Sequence, residues 1–158
     1  MSMKLAQKAT YVLWIFAAML LASCGGGGGG GGSPPPPPIT DVAEQSTAHN
    51  DSTTAQTIPL LSRISGSLPI SNFLSFAEYD WYRLVLSATT PVTMTLTGPA
   101  GPDIDLFLLA GDGTTQLAES IGLTSDESIS QSLAAATYFI VVAPFDVMVA
   151  SAYTLVVQ

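Results

Sequence analysis

From Ile58 onward the chain alternates between apolar and polar residues, and turn-forming residues interrupt this alternation about every 8 to 12 positions. In the stretch 81–86, Tyr82, Leu84 and Leu86 fall on one face of an extended strand and Trp81, Arg83 and Val85 on the other. The stretch 92–97 alternates apolar residues with threonines. No stretch shows a convincing helical period. The pattern therefore predicts an all-β protein, an antiparallel β-sandwich of about seven to nine strands.

The same alternation continues to the C-terminus. Further strands are expected at 103–109, 128–133, 138–142 and 153–157. Between the first two, Gly111-Asp112-Gly113 predicts a turn that includes a residue with positive φ. The apolar positions that should form the core are Tyr82, Leu84, Leu86, Val92, Met94, Leu96, Tyr138, Ile140 and Val142.

The N-terminus has a different pattern. Lys4 and Lys8 precede an apolar run over 11–21, which is too short to cross a bilayer as a helix. The run ends in Leu21-Ala22-Ser23-Cys24, and this arrangement resembles a bacterial lipoprotein signal. The resemblance implies that residues 1–23 are removed as a signal peptide. It also implies that Cys24 is lipidated, with palmitate among the acyl groups.

A low-complexity segment follows the only cysteine of the chain. Eight glycines at 25–32 form a flexible coil, and five prolines at 34–38 form a stiff polyproline II rod. Residues 24–43 are therefore predicted to be a disordered tether, and residues 44–158 a single domain. One cysteine excludes an intramolecular disulfide, so the domain must be stabilised by its core or by a bound ion.

The chain is strongly acidic. Its formal net charge is −8, and the predicted mature chain keeps only Arg63 and Arg83 as cations beside 12 acidic residues. Nucleic acids and anionic membrane surfaces are bound through clusters of Lys and Arg. This composition therefore excludes a nucleic-acid partner.

Carboxylates occur in pairs two residues apart. Glu78 with Asp80, and Asp103 with Asp105, should each lie on one face of a strand. Three interpretations are open: solvated strand ends, a shared calcium ion, or acid–base catalysis. His49, the only histidine, lies in a polar stretch and is expected to be a solvated loop residue.

Aromatic residues cluster beside the first core strand. Phe73, Phe76, Tyr79 and Trp81 fall within ten positions of one another. On an outer face they would form a stacking platform for a sugar or a peptide. Alternatively they pack over the end of the sandwich.

Five short motifs in order resemble the bacterial pre-peptidase C-terminal domain, a family related to the collagen-binding domains of clostridial collagenases. They are Asn50-Asp51-Ser52 with Ala55-Gln56, Gly66-Ser67-Leu68, Asp80-Trp81-Tyr82-Arg83-Leu84, the strand Asp103 to Leu108, and the segment Leu133 to Val142. The resemblance covers about residues 44 to 158. It implies a jelly-roll-like β-sandwich, in agreement with the alternation.

The resemblance also implies a metal site. Calcium-binding relatives place the ion between the segment that enters the domain and an early strand, and the matching residues here are Asn50, Asp51 and Asp80. Two positions that are acidic in those relatives are occupied by Ser46 and Ala48. Calcium takes six to eight oxygen ligands, so only weak calcium binding is expected.

These observations favour a lipid-anchored, exported, non-catalytic binding or structural module of the bacterial cell envelope, and not an enzyme. The resemblance to bacterial lipoproteins also implies a destination: Gly25, and not an aspartate, follows Cys24, which favours the outer membrane in a cell with two membranes. The expected partner is a protein or a polysaccharide. The alternatives are an accessory or chaperone-like partner of a separate secreted peptidase and, less favoured, a stand-alone hydrolase that uses carboxylates.

Overall fold

The computed structural model describes residues 35–45, 47–69, 78–145 and 150–158, and these residues contain ten β-strands and no helix. In chain order the strands are β1 (Thr40–Ala43), β2 (Gln56–Ile58), β3 (Ser62–Leu68), β4 (Asp80–Val85), β5 (Thr90–Thr97), β6 (Ile104–Ala110), β7 (Gln116–Ser120), β8 (Glu127–Leu133), β9 (Thr137–Pro144) and β10 (Ser151–Val157). The predicted all-β class is confirmed, with ten strands where about seven to nine were expected.

The strands form two five-stranded sheets that pack as a sandwich. Sheet A has the order β1-β3-β10-β5-β8, and sheet B has the order β2-β4-β9-β6-β7. Most neighbours are antiparallel, as predicted, but β1 pairs with β3 and β2 pairs with β4 in parallel. In each parallel pair a strand of the other sheet intervenes in sequence, and this crossover lets the chain return in the same direction.

The core lies between the two sheets and consists of the inward-facing residues of alternating strands. In β3 the buried and exposed residues alternate without exception. All nine predicted core residues are buried, and Tyr82, Leu84, Met94, Leu96, Ile140 and Val142 have no exposed surface. Burial of one such side chain contributes about 1.5–3 kcal/mol, so this face supplies most of the stability of the fold.

Strand β9 departs from simple alternation because it is buried on both faces. Phe139, Val141 and Ala143 are 5–7% exposed although they point away from the core. The strand lies in the middle of sheet B, between β4 and β6, and outward side chains of those strands, such as Trp81 against Phe139, cover its outer face. Central strands of this kind read as continuous apolar runs and not as alternating ones.

The N-terminal boundary of the domain lies earlier than predicted. Residues Thr40–Ala43 were assigned to the tether, but they form β1 at the edge of sheet A. The Thr40 amide donates to the Leu61 carbonyl at 2.8 Å, and Val42 packs against the core. This short segment carries no alternation of its own, so its pairing with β3 defines it as a strand. Pro35 to Pro38 are exposed and lack regular secondary structure.

The predicted glycine turn joins β6 to β7. Gly113 has a φ of 70°, and its amide donates to the Ala110 carbonyl at 3.0 Å. This conformation is strained for residues with a side chain, so glycine is required there.

Several sequence predictions concern residues outside the described part of the chain. They are the signal peptide 1–23, Cys24, the glycine tract, Ser46, Phe73 and Phe76. Among the described residues, no helix has the length and apolarity needed to span a membrane.

Candidate functional site

One end of the sandwich interior is polar. Asp80 begins β4, and Tyr82 follows two residues later on the same inward face. The Tyr153 hydroxyl, from β10 of the opposite sheet, donates to Asp80 Oδ2 at 2.5 Å and lies 2.5 Å from the Tyr82 hydroxyl. All three side chains are at most 5% exposed. These hydrogen bonds connect the two sheets across the core.

A glycine makes room for this arrangement. Gly66 lies opposite Tyr153 in the register of β3 and β10. A Cβ atom at position 66 would lie 2.3 Å from Tyr153 Cζ, closer than any allowed contact. The glycine of the Gly66-Ser67-Leu68 motif is therefore explained by the aromatic ring that it accommodates.

Two residues from the segment that enters the domain complete the polar end. His49 Nε2 lies 3.5 Å from Asp80 Oδ1 and 3.9 Å from Glu44 Oε1. Glu44 also accepts hydrogen bonds from the Ser67 amide, at 3.1 and 3.3 Å, and its Oε1 lies 3.4 Å from the Tyr153 hydroxyl oxygen. We call Glu44, His49, Asp80, Tyr82 and Tyr153 the polar cluster.

The polar cluster changes the acidity of its members. Burial raises the pKa of Asp80 to about 6, against the opposing effects of the Tyr153 hydrogen bond and of His49. Burial also raises the pKa values of Tyr82 and Tyr153, so both hydroxyls stay protonated at physiological pH. A buried carboxylate close to neutral titration is a common feature of functional sites, although structural networks produce it too.

Two exposed aspartates behave in the opposite way. Asp51 Oδ1 accepts hydrogen bonds from the Thr53 and Thr54 amides at 2.8 and 2.9 Å and from both of their hydroxyls. Asp112 accepts from the Thr114 and Thr115 amides in the β6–β7 turn. These bonds, with those from the Thr53 and Thr115 hydroxyls contributing most, lower the pKa of each aspartate to about 2. Both carboxylates serve as turn caps.

The predicted calcium ligands do not form one oxygen-rich shell. Asp51 Oδ1 is directed at the threonines of its own turn, whereas Asp80 lies beside Glu44 and His49. The donors gathered near Asp80 are thus two carboxylates and one imidazole nitrogen. Calcium requires six to eight oxygens, so this set fits it poorly. Asn50 is half-buried near the same segment, and calcium binding stays a prediction.

A third carboxylate lies beside the second predicted acidic pair. Asp103 and Asp105 are joined by Glu127 at the start of β8, and oxygens of the three lie within 4.8 Å of one another. Glu127 accepts short hydrogen bonds from the Ser120 hydroxyl and the Gly122 amide. Asp105 and Glu127 are buried, so these acids are not the solvated strand ends that were one interpretation.

Two further expectations are corrected by burial. His49 was expected to be solvated but is 4% exposed, because the loop before β2 folds inward and the His49 carbonyl accepts from the Trp81 amide at 2.8 Å. The first acidic pair was expected to lie together on one face of a strand, but Glu78 is exposed and precedes β4, while Asp80 is buried. The sequence pattern did not reveal Glu44 and Tyr153, because their partners are distant along the chain. It did not reveal Glu127 either, because no motif connects that residue with Asp103 and Asp105.

The outer faces of the two sheets differ in chemistry. On the outer side of sheet B, two rows of residues cross β4, β9 and β6. One row is Trp81, Val141 and Phe107, and the other is Arg83, Phe139 and Leu109. We call these six residues the apolar face. Trp81 packs edge-on against Phe139 with ring centroids 5.8 Å apart.

The outer face of sheet A is covered with small hydroxyl-bearing residues. We call it the hydroxyl face, and its members include Ser65, Ser67, Thr93, Thr95, Thr97, Ser128, Ser130, Ser132 and Thr154. Thr93 and Ser130 hydroxyls lie 2.7 Å apart. An open groove of about 610 Å³ crosses this face between Ser67, Gly98 and Thr154, and Glu44 and Tyr153 line it as well.

Comparison with known proteins gives a family and a fold. Residues 78–144 match the family model described as the bacterial pre-peptidase C-terminal domain. No curated protein sequence matches the chain. Among solved structures, the pre-peptidase C-terminal domain of a collagenase from Bacillus anthracis is similar with a TM-score of 0.56 and 17% identity, over 66% of this chain and 94% of that one.

Two other structures are more distant. A periplasmic inhibitor of g-type lysozyme from Aeromonas hydrophila matches with a TM-score of 0.37 and 19% identity, over 77% of this chain and 98% of the other. The surface-associated copper-binding protein CorA of Methylomicrobium album BG8 matches with a TM-score of 0.45 and 10% identity, over 66% and 98%.

The family match covers β4 to β9, and the collagenase domain shares the fold of the sandwich. The resemblance inferred from the five sequence motifs is therefore confirmed. Residues 78–144 of this chain are similar to the bacterial pre-peptidase C-terminal domain, and a solved domain of that family has the same fold.

Proposed function

We propose that this chain is an exported, lipid-anchored module of the bacterial cell envelope that binds a protein or polysaccharide ligand without catalysing a reaction. The pre-peptidase C-terminal domain is a non-catalytic family, which supports a binding or structural role. The lipid anchor rests on the Leu21-Ala22-Ser23-Cys24 sequence after an apolar run.

The use of the acidic residues argues against a hydrolase. Asp51 and Asp112 cap turns, and Glu127 is held by Ser120 and Gly122. Asp80 is buried and hydrogen-bonded to Tyr153. A glycosidase needs two carboxyl groups flanking an accessible cleft. These four carboxylates instead stabilise turns and the interior.

The apolar face of sheet B is the observation that carries the binding proposal. Its central residues, Phe139 and Val141, are buried, while Trp81, Arg83 and Phe107 around them are partly exposed. Aromatic residues and arginine are enriched at the centres of binding surfaces, where they supply apolar area and directional hydrogen bonds. We therefore place the ligand on this face.

Tryptophan fluorescence provides the test. The chain has two tryptophans, Trp14 in the predicted signal peptide and Trp81 on the apolar face, so the mature chain reports on Trp81 alone. Titration with gelatin and with peptidoglycan fragments should change its emission for one of them. Arg83→Gln should weaken that binding, and Thr95→Ala on the hydroxyl face should not. Equal weakening by both substitutions would contradict the assignment of the face.

The lipid anchor is tested separately. Labelled palmitate should be incorporated into the wild-type chain in the native host and not into Cys24→Ser, because a hydroxyl does not replace the thiol as the acceptor of the lipid. The wild type should remain with the membrane fraction in a salt wash, since more than one acyl chain gives stable attachment. Equal labelling of both chains would disprove the anchor.

The family match also favours a second candidate. Pre-peptidase C-terminal domains take their name from peptidases, so this chain could serve as an accessory partner of a separate secreted peptidase. Affinity purification of the anchored chain from its native host would recover such an enzyme in stoichiometric amount. Arg83→Gln should release the enzyme if the apolar face is the contact.

A further inference from the structure

The ligand atoms of Glu44, His49 and Asp80 converge in the interior of the sandwich, at separations within ion-pair range but longer than a hydrogen bond. All three atoms lie within 4.8 Å of one another. A charge-assisted hydrogen bond from a protonated imidazole to a carboxylate would be about 2.7–2.9 Å long. His49 Nε2 is instead 3.5 Å from Asp80 and 3.9 Å from Glu44. The gap is wider than a hydrogen bond requires.

The imidazole nitrogen that faces this gap is buried without a hydrogen-bond partner among the described residues. His49 is 4% exposed, and its Nε2 is one of the few buried side-chain nitrogens left unsatisfied. Burying such an atom without a partner is unfavourable, because the atom loses its hydrogen bonds to water. The unpaired nitrogen therefore points to a ligand between it and the two carboxylates.

The other ring nitrogen fixes the tautomer. His49 Nδ1 lies 3.3 Å from the Thr47 carbonyl, which can only accept a hydrogen bond. Nδ1 therefore carries the proton, and in the neutral ring Nε2 presents its lone pair to the two carboxylates. A backbone carbonyl on the far nitrogen is the usual way in which proteins orient a metal-binding histidine.

We propose that Glu44, His49 and Asp80 form a binding site for a divalent transition-metal ion of the zinc class. Ligands about 2.0–2.2 Å from a tetrahedral zinc ion are separated from one another by about 3.3–3.6 Å. The 3.5 Å distance from Nε2 to Asp80 Oδ1 falls within this range, and the 3.9 Å distance to Glu44 Oε1 lies slightly above it. Two carboxylates and a neutral imidazole carry a charge of −2, which the cation neutralises.

The surroundings support the same assignment. Tyr153 donates to Asp80 Oδ2, and the Ser67 amide donates to Glu44, so both carboxylates are oriented by a second shell of hydrogen bonds. Glu44 also lines the open groove on the hydroxyl face, which gives an ion a path from solvent. A nitrogen ligand favours zinc-class ions over calcium, which prefers oxygen. The site is distinct from the proposed ligand-binding face of sheet B.

The test is zinc binding by the full, untagged chain in detergent. Cys24→Ser serves as the background, because it removes the only thiol, and His49 is the only histidine. Calorimetry should give one zinc ion per chain. His49→Gln should weaken binding at least tenfold, and Asp51→Asn, which changes a carboxylate outside the cluster, should leave it unchanged.

A spectroscopic measurement tests the site without requiring that the His49→Gln variant folds. X-ray absorption of zinc bound to the Cys24→Ser chain, in which Glu44, His49 and Asp80 are all intact, should show one imidazole and oxygen ligands. A zinc ion with oxygen ligands only would overturn the proposal, as would the absence of binding at millimolar zinc. Equal affinity of the wild type and of a folded His49→Gln chain would also overturn it.

Discussion

Tyr82 and Leu84 lie two residues apart on the same face of β4, and neither has any exposed surface, yet their surroundings differ. Leu84 is packed in the apolar core, which is stabilised by the area removed from water. Tyr82 belongs to the polar cluster, which is stabilised by a few hydrogen bonds of defined geometry. The apolar part therefore tolerates changes of shape, whereas the polar part requires every partner to be present.

The first test of this difference is a substitution in the apolar core. Leu84→Ala should lower the free energy of unfolding by about 2–5 kcal/mol, because it removes buried methyl groups and leaves a cavity. Val85→Ala, at the next position but 60% exposed, is the matched control and should change stability little. Urea denaturation measures both. Similar losses for the two variants would mean that the faces of β4 are assigned wrongly.

At the polar end, Tyr153→Phe should lower the free energy of unfolding by about 3 kcal/mol, because it leaves the buried Asp80 carboxylate without its donor. Tyr138→Phe is the control. It removes one hydroxyl that donates to the Ala134 carbonyl at 3.1 Å in a partly buried position, and about 1 kcal/mol is expected. A loss for Tyr153→Phe no larger than that for Tyr138→Phe would contradict the importance of the cluster.

The polar cluster should also make stability depend on pH in an unusual direction. The pKa of Asp80 is about 6 in the folded protein and 3.8 in the reference state, so the folded state binds the proton more tightly. Its contribution is therefore fully present below about pH 4 and is lost as the pH rises to about 6. We expect a loss on the order of 2 kcal/mol over this window.

Thermal melts of wild type and Asp80→Asn from pH 4 to pH 6.5, with a chelator present, measure this effect. The variant should show a flatter profile, since its amide does not titrate and can still accept from Tyr153. Identical profiles for the two chains would show that Asp80 is not held in the buried environment described.

The smallest effect is expected at the exposed turn caps. Asp112 has a pKa lowered to about 2, so its contribution is present above about pH 4 and is lost as the pH falls toward 2. Asp112→Asn should leave the melting temperature at pH 7 almost unchanged and reduce the loss between pH 4 and 2. A large decrease at pH 7 would show that the turn determines the stability of the β6–β7 hairpin.

The apolar part of the fold could be predicted from the sequence because burial in a sheet repeats every second residue. Strands β4, β5 and β9 were located in this way, and their inward residues are those expected. The short strand β1 could not be predicted, since four residues carry too little of a pattern. Its position depends on pairing with β3.

The candidate site could be predicted only in part. The family resemblance identified Asp80 as a candidate calcium ligand, and it gave Asn50 and Asp51 as the other ligands. The structure instead brings it to Tyr153 of sheet A and to Glu44 and His49, which lie between β1 and β2. Contacts between residues 73 positions apart leave no periodic trace in a single sequence.

The parallel pairing of β1 and β2 at the edges of the two sheets has a practical consequence for truncation. The segment from Thr40 to Ile58 covers β3 in one sheet and β4 in the other, and Gln56 joins its two ends through hydrogen bonds to Ala43 and Gln45. A fragment cut at the start of the family match would lose all of β1 to β3. It would expose β4 and β10 as open edges, and unpaired edges of this kind promote aggregation through strand-to-strand association. Recombinant expression should therefore begin no later than the proline rod.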